Sequence, residues 1–400
     1  MRKKMMFFMA MLLLVARSGA ATFDHDVKAA EEFRGRDGLP NFFAKLQQGQ
    51  MVRVAYLGGS ITAANGWRPR TLAWFKAQWP TAKVEEINAA ISGTGSDYGA
   101  CRLQDDVLAQ NPDLVFLDCR VNGGDRFEAE SVEGIVRHIW QQNPRTDICF
   151  VYTISSWLFE ELQAGRNTSF GAVMETVANA YGIPTIDLGV EVARREKEGS
   201  LVFIGTDPAG GKLVFASDSA HPTDAGHDIY RDVVVRSMLK MKDLAQAKDH
   251  VLPSPLKANN WQTAGLLPVD KCTLSSGWVP VDAATDTVYT DDKWRTDAML
   301  RGAVKCNQAG QTITVKWNGT TIGMSDIPYG EGSVIEAVVD GGKPIVIKRV
   351  YPEAIHKYAR FYYLPEQPPG VHTVTFTVKQ VPQGGWVYAG HALVVGTVVP

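Results

Sequence analysis

The chain carries little net charge. The formal value is −2 over 400 residues, so no global field of one sign exists to draw nucleic acid or an anionic membrane. Cysteine is sparse, and the five present (Cys101, Cys119, Cys149, Cys272, Cys306) show no Cys-x-x-Cys spacing and no His/Cys cluster of the kind that holds zinc. Cys119 and Cys149 sit in or beside apolar runs and read as small core residues. Cys272 and Cys306 share a later region, where a disulfide and two free thiols are both open, because their spacing fixes no distance. Past the N-terminus no apolar run is long enough to cross a bilayer, and low-complexity tracts and short repeats are missing. The remaining composition, 45% hydrophobic and 21% charged, is that of a soluble globular protein long enough for two cores.

Residues 1–21 read as an export signal. Arg2, Lys3 and Lys4 are a basic start, Met5 to Val15 a short apolar run, and Ser18, Gly19, Ala20 and Ala21 a small-residue stretch suited to a signal peptidase. A short buried helix is the alternative. The mature chain is then expected to begin near Ala21 or Thr22 and to be periplasmic or secreted. No cysteine follows the apolar run before Cys101, which argues against a lipid anchor.

From Met51 to about Lys242 the pattern alternates between two textures. Apolar runs at Val52–Leu57, Val84–Ile87, Leu114–Leu117, Ile148–Ile154 and Thr185–Leu188 predict buried parallel strands. Helical spacing fills Arg70–Trp79, Gly99–Gln110, Val132–Gln142, Ser169–Tyr181 and Asp224–Met241, with Ser169, Thr223 and Asp224 as expected caps. Such alternation predicts an α/β three-layer sandwich with a mostly parallel sheet, whose ligand sits beyond the carboxyl ends of the strands. Residues 22–248 are expected to form this domain and 249–260, rich in proline and polar residues, a linker. Residues 261–400 carry short strand patterns with turns at Asn318-Gly319, Asp340-Gly342 and Pro369-Gly370, which predict a jelly-roll-like β-sandwich.

Two segments far apart carry the chemistry. Ser60, in Leu57-Gly58-Gly59-Ser60-Ile61-Thr62, follows the first strand on a glycine turn; His221, in Asp218-Ser219-Ala220-His221-Pro222, lies in a loop with an aspartate three residues before it. A serine nucleophile needs a base for its proton and an acid to orient that base, and Ser60, His221 and Asp218 are of the types required. His227 is a rival base, although its position inside a predicted helix favours packing, and Asp224 is expected to cap that helix. Backbone donors near Gly93 or Gly95 and the side-chain amide of Asn122 lie on loops after predicted strands, where an oxyanion would need them. Taken singly, each is more simply a turn residue.

Together these blocks resemble the SGNH (GDSL-type) hydrolase superfamily, whose serine, glycine, asparagine and histidine occur in that chain order. Here the order is Ser60 in LGGSIT, Gly93 in NAAISG, Asn122 in RVNGG and His221 in DSAHP, and the likeness spans about Val52 to Met241. The resemblance implies a flavodoxin-like fold and a serine esterase without metal or organic cofactor. It further implies Ser60 as nucleophile, His221 as base, Asp218 as orienting acid, and Ser60, Gly93 and Asn122 as the oxyanion hole. Gly59 replaces the aspartate of Gly-Asp-Ser, and Gly123 replaces the aspartate of Asn-Asp, which is expected to loosen the loop after the third strand.

Export, the lack of an apolar lid segment and a β-rich partner domain favour removal of O-acetyl groups from a polysaccharide or oligosaccharide. A short-chain lipase or arylesterase, and a glycan-binding protein with a vestigial hydrolase domain, are the alternatives. Gly59, Trp67, Tyr98 and Trp157 are the candidate substrate contacts, with Phe159 beside them, although core packing is the simpler role for any one of these aromatics. Trp278, Trp294, Tyr329, Tyr358 and Trp386 are candidate glycan contacts in the second domain, whose bland role is to brace the first.

Overall fold

The computed structural model describes residues 23–205, 209–350 and 357–399. The expected export signal lies outside the described residues. Among the described residues no helix is long and apolar enough to cross a membrane.

Six strands form the first sheet: β1 (Phe33–Arg34), β2 (Met51–Gly58), β3 (Lys83–Asn88), β4 (Leu114–Asp118), β5 (Asp147–Tyr152) and β6 (Thr185–Asp187). Their order is β1-β6-β5-β4-β2-β3. Strands β2 to β6 are parallel and only the short β1 runs against β6. The parallel strands therefore follow the flavodoxin-like order, which reverses between β2 and β4. Strand β1 has no apolar run and was not foreseen.

Strand alternation divides the core. Val52, Val54 and Tyr56 of β2 face one side, where they pack with residues of α1 (Pro40–Gln47), α3 (Trp67–Gln78), α8 (Leu188–Lys197) and α9 (Asp224–Met241). Ala55 and Leu57 face the other, with α4 (Ser96–Asp106), α5 (Glu128–Gln142) and α7 (Ser169–Tyr181). Of the expected caps, Thr223 accepts the Gly226 amide, whereas Thr168 takes the place of Ser169 and accepts the Gly171 amide. Asp224 instead points outward to Arg70 at 2.7 Å.

A parallel pair absent from the sequence reading, β7 (Leu201–Ile204) and β8 (Leu213–Ala216), leads into the Asp218–His221 loop. The 249–260 segment is strapped to the first domain. His250 stacks on Trp140 at 4.5 Å and bonds Asp147, while the buried Glu133 carboxylate accepts the Leu256 and Lys257 amides at 2.6 and 2.8 Å.

Beyond it lies a β-rich region of antiparallel strands, with one large sheet and one three-stranded sheet. Its central strand, Thr312–Asp326, is longer than the predicted Thr312–Trp317, because Asn318-Gly319 is not a turn. A bulge follows Gly319, and a Cβ there would come within 1.9 Å of the Val395 carbonyl, so the glycine permits close strand approach. Asp340 and Gly341 do turn, at φ +52° and +67°. All five cysteines are unpaired, including Cys272 and Cys306.

Candidate active site

The site stands where the strand order reverses. Gly58, the last residue of β2, is in register with Asp118, the last of β4. Ser60 opens the four-residue helix α2 (Ser60–Ala63) directly after β2. Gly58 and Gly59 are not needed for unusual backbone angles, since neither has a positive φ. Close approach requires them. A Cβ at Gly58 would lie 2.8 Å from the Asp118 carbonyl, and one at Gly59 would lie 2.6 Å from Asn122 Nδ2.

Ser60 Oγ is 2.9 Å from His221 Nε2, and His221 Nδ1 is 2.9 Å from Asp218 Oδ2. The other Asp218 oxygen accepts the amides of Ala220 and His221 at 2.8 and 2.7 Å. Partial burial opposes charge on Asp218, but these amides and the imidazole outweigh it and hold the carboxyl down at about 2. An ionised Asp218 accepts from Nδ1–H, which leaves the Nε2 lone pair toward Ser60. The loop is held from beneath, as the Ser156 amide donates to the Ser219 carbonyl at 2.7 Å.

Behind Ser60 is a buried polar chain that sequence reasoning missed. Thr62 Oγ1 and Thr153 Oγ1 donate to the two oxygens of Asp118 at 2.6 and 2.9 Å. Burial pushes the Asp118 carboxyl above its usual range against those bonds. Trp67 Nε1 reaches Thr62 at 3.2 Å, and the Trp67 amide donates to His227 Nδ1 at 3.2 Å. Burial, with Arg70 nearby, lowers His227 to about 4, so this ring is a neutral packing element. The only sequence signal for the chain was polar residues beside glycines, which does not distinguish it from a surface turn.

Asn122 is exposed, lies against Gly59 and donates Nδ2 to the Thr94 carbonyl at 3.0 Å. The loop is not loosened by Gly123. Its φ is +72°, its carbonyl accepts the Ser96 amide at 2.9 Å, and its amide reaches the Cys119 carbonyl at 2.8 Å. Gly93, at φ +64°, is joined to Asn122 through the neighbouring Thr94. Gly95 caps α4, where a Cβ would strike the Gly123 carbonyl at 2.0 Å. The β-rich region also reaches this loop. Arg295, on α10 (Lys293–Met299), has Nη1 3.5 Å from where a Gly93 Cβ would stand. Burial, with Arg360 adding, lowers the Arg295 guanidinium to about 10.

Two of the candidate substrate contacts are corrected. Trp67 is fully buried behind Ser60, and Tyr98 is fully buried against Phe361 at 4.8 Å. Phe159 is also core, 4.6 Å from Phe203. Trp157 is 59% exposed. Ser60, Gly59, Val121, Asn122, Asp118 and Thr153 wall a cavity of about 10 Å³, room for one water-sized group. Val121 and Asn122 also edge a groove of about 410 Å³ lined by Trp157, Glu128, Glu161 and Ser169.

Residues 56–229 match the model of the GDSL-like Lipase/Acylhydrolase family. No curated protein matches the chain. Among solved structures it is similar to a two-domain esterase (CEX) active on acetylated mannans. The TM-score is 0.74 at 20% identity, over 92% of this chain and 98% of that one in the form co-crystallised with mannopentaose. The form without that ligand matches over 92% and 97%, also at 0.74 and 20%. Axe2, an acetylxylan esterase from Geobacillus stearothermophilus, is similar over 49% of this chain and 97% of its own, with TM-score 0.36 at 19% identity.

Proposed function

We propose that this ester hydrolase, whose α/β region belongs to the GDSL-like lipase/acylhydrolase family, removes O-acetyl groups from a polysaccharide or oligosaccharide. Ser60 Oγ attacks the acetyl carbonyl while His221 Nε2 takes its proton, and ionised Asp218 orients and stabilises the imidazolium. The oxyanion forms toward the Ser60 and Gly93 amides and the Asn122 side chain. As the intermediate collapses, the proton on His221 passes to the departing sugar oxygen, which leaves as a free hydroxyl. Water, deprotonated by His221, then attacks the acetyl-serine, and acetate leaves as the proton returns to Ser60 Oγ.

One observation carries the choice of acyl group: beside the relay the space is small, about 10 Å³ or one water-sized group, which favours a short acyl chain. The adjoining groove suits an alcohol rich in hydroxyls, because Glu128, Glu161, Thr168 and Ser169 line it beside the exposed Trp157. The fold it shares with an esterase active on acetylated mannans supports a carbohydrate substrate. The short-chain lipase or arylesterase reading is favoured only by the exposure of the site, where about half of the His221 side chain meets solvent.

The test is acetate release from acetylated mannan, xylan, xyloglucan and pectin, alongside p-nitrophenyl acetate and butyrate. Release from at least one polysaccharide, with butyrate much slower than acetate, is expected. Indifference to every polysaccharide with good butyrate turnover would overturn the reading in favour of a small-ester esterase.

A further inference from the structure

A second cleft, of about 420 Å³, lies where the α/β region meets the β-rich region, away from Ser60. One wall is the loop from Asn88 to Ile91, which continues to Gly93 and Thr94 and so to Asn122. Helix α10 forms another. Its inner residue Arg295 is 6% exposed and bonds the Ala359 carbonyl, whereas the adjacent Trp294, which lines the cleft, is 54% exposed. A tryptophan face left to solvent inside a concave site is apolar area available to a ligand.

Two nearly buried side chains also line the cleft. Arg102, 1% exposed, is held through Nη1 by the Ala89 carbonyl and Asp106, and its Nε is buried out of a ligand's reach. His391, 9% exposed, has Nδ1 3.0 Å from the Met299 carbonyl. A carbonyl accepts, so Nδ1 carries the proton and Nε2 is an acceptor on a cleft-lining ring. Burial lowers the His391 pKa, which keeps the ring neutral. Charge in the cleft is mixed: Arg102 and Arg301 stand with Asp105, Asp106 and Asp297. The sum of these formal charges, +2 and −3, is −1, which disfavours uronate or phosphate.

We propose that this cleft is a glycan subsite that holds neutral hexose or pentose units of the chain whose esters are cleaved at Ser60. The Trp294 face packs the apolar side of a sugar ring, and carboxylates, amide, imidazole and guanidinium groups pair its hydroxyls. The inference rests on the polysaccharide reading above for its ligand, and its test is separable from that reading.

Binding is measured in the Ser60→Ala background with unacetylated oligomers of β-linked mannose, xylose and glucose as probes, so that turnover plays no part. Added Trp294→Ala should weaken the best probe about tenfold, and Trp294→Phe should recover part of that loss. In the chain with Ser60 intact, Trp294→Ala should leave kcat/KM for p-nitrophenyl acetate unchanged. An unchanged melting temperature shows the fold intact, as the exposure of Trp294 predicts. Undiminished binding by the Trp294→Ala variant, or no binding of any probe by its Ser60→Ala parent, overturns the proposal. Failure of acetate release from every acetylated polysaccharide would instead strike the ester reading, whatever the binding result.

Discussion

The two faces of the central sheet are packed alike but closed differently. On the face of Val52, Val54 and Tyr56, helices of the α/β region complete the core by themselves. On the face of Ala55 and Leu57, the same cluster runs on into Trp261, Tyr289, Met299, Leu300, Tyr388 and Leu393. The second region is thus not a bead on a linker. It finishes a core that α4 and α5 leave open. The relay follows this division. Ser60 and His221 sit by Ile61, Phe215 and Ala216 of the self-sufficient side. The 88–95 loop belongs to the shared side through Ala89 and Ile91. Damage to the second region should therefore reach stability and the 88–95 loop before it reaches the Ser60–His221 pair.

The largest effect expected from a single packing change is at the shared face. Trp261 is buried against Phe127 and Tyr363, and its backbone lies where a Gly134 Cβ would strike it. Trp261→Ala should destabilise by about 3–5 kcal/mol, read by calorimetry as one cooperative transition moved down. Two transitions with the upper one unmoved would separate the regions and break the comparison. Next is Asn122→Ala, which should lower kcat about 100- to 1,000-fold with the melting temperature retained. A change in KM alone would remove Asn122 from the oxyanion hole.

A third test concerns the self-sufficient face. His227 has a folded pKa of about 4 against an ordinary 6.5. Below 6.5 the unfolded chain takes up a proton that the native ring refuses, so stability falls as pH drops from 6.5 toward 4. His227→Gln should flatten that fall in urea melts. It should not abolish it, because burial lowers His138 and His391 in the same direction. An unaltered slope would show that the ring titrates normally. The smallest effect is at the groove. Trp157→Ala should raise KM for an acetylated polysaccharide a few-fold, about 1 kcal/mol, and leave p-nitrophenyl acetate unaffected.

Much of the α/β region was legible. Apolar runs of strand length gave β2 to β6 within about two residues, and helical spacing gave α7 and α9 to the residue, whereas α3, α4 and α5 begin three or four residues before the predicted starts. What escaped was structure made by tertiary contact. Strand β1 forms only because β6 has an open edge, and β7 and β8 only because Phe215 and Leu201 pack under α9. Asn318-Gly319 looked like a turn because sequence does not reveal that another strand will need its missing side chain. Among site residues, Ser60, Asp218, His221 and Asn122 stood out because chemistry restricts their type and order. Trp67 and Tyr98, candidates for contact or core, prove to be core; an aromatic after a strand or turn reads the same whether it faces ligand or core. Asp118 and Arg295 had no distinguishing signal, since their partners are distant in the chain.

The central claim is that Ser60 carries the acyl group. Enzyme mixed with an acetylated substrate and quenched in acid within the first turnovers should yield, by peptide mass spectrometry, acetyl on the peptide containing Ser60. Ser60→Ala should show none and should lose activity by about 10,000-fold or more. Acetyl found on a different residue, or turnover surviving in Ser60→Ala, would contradict the account.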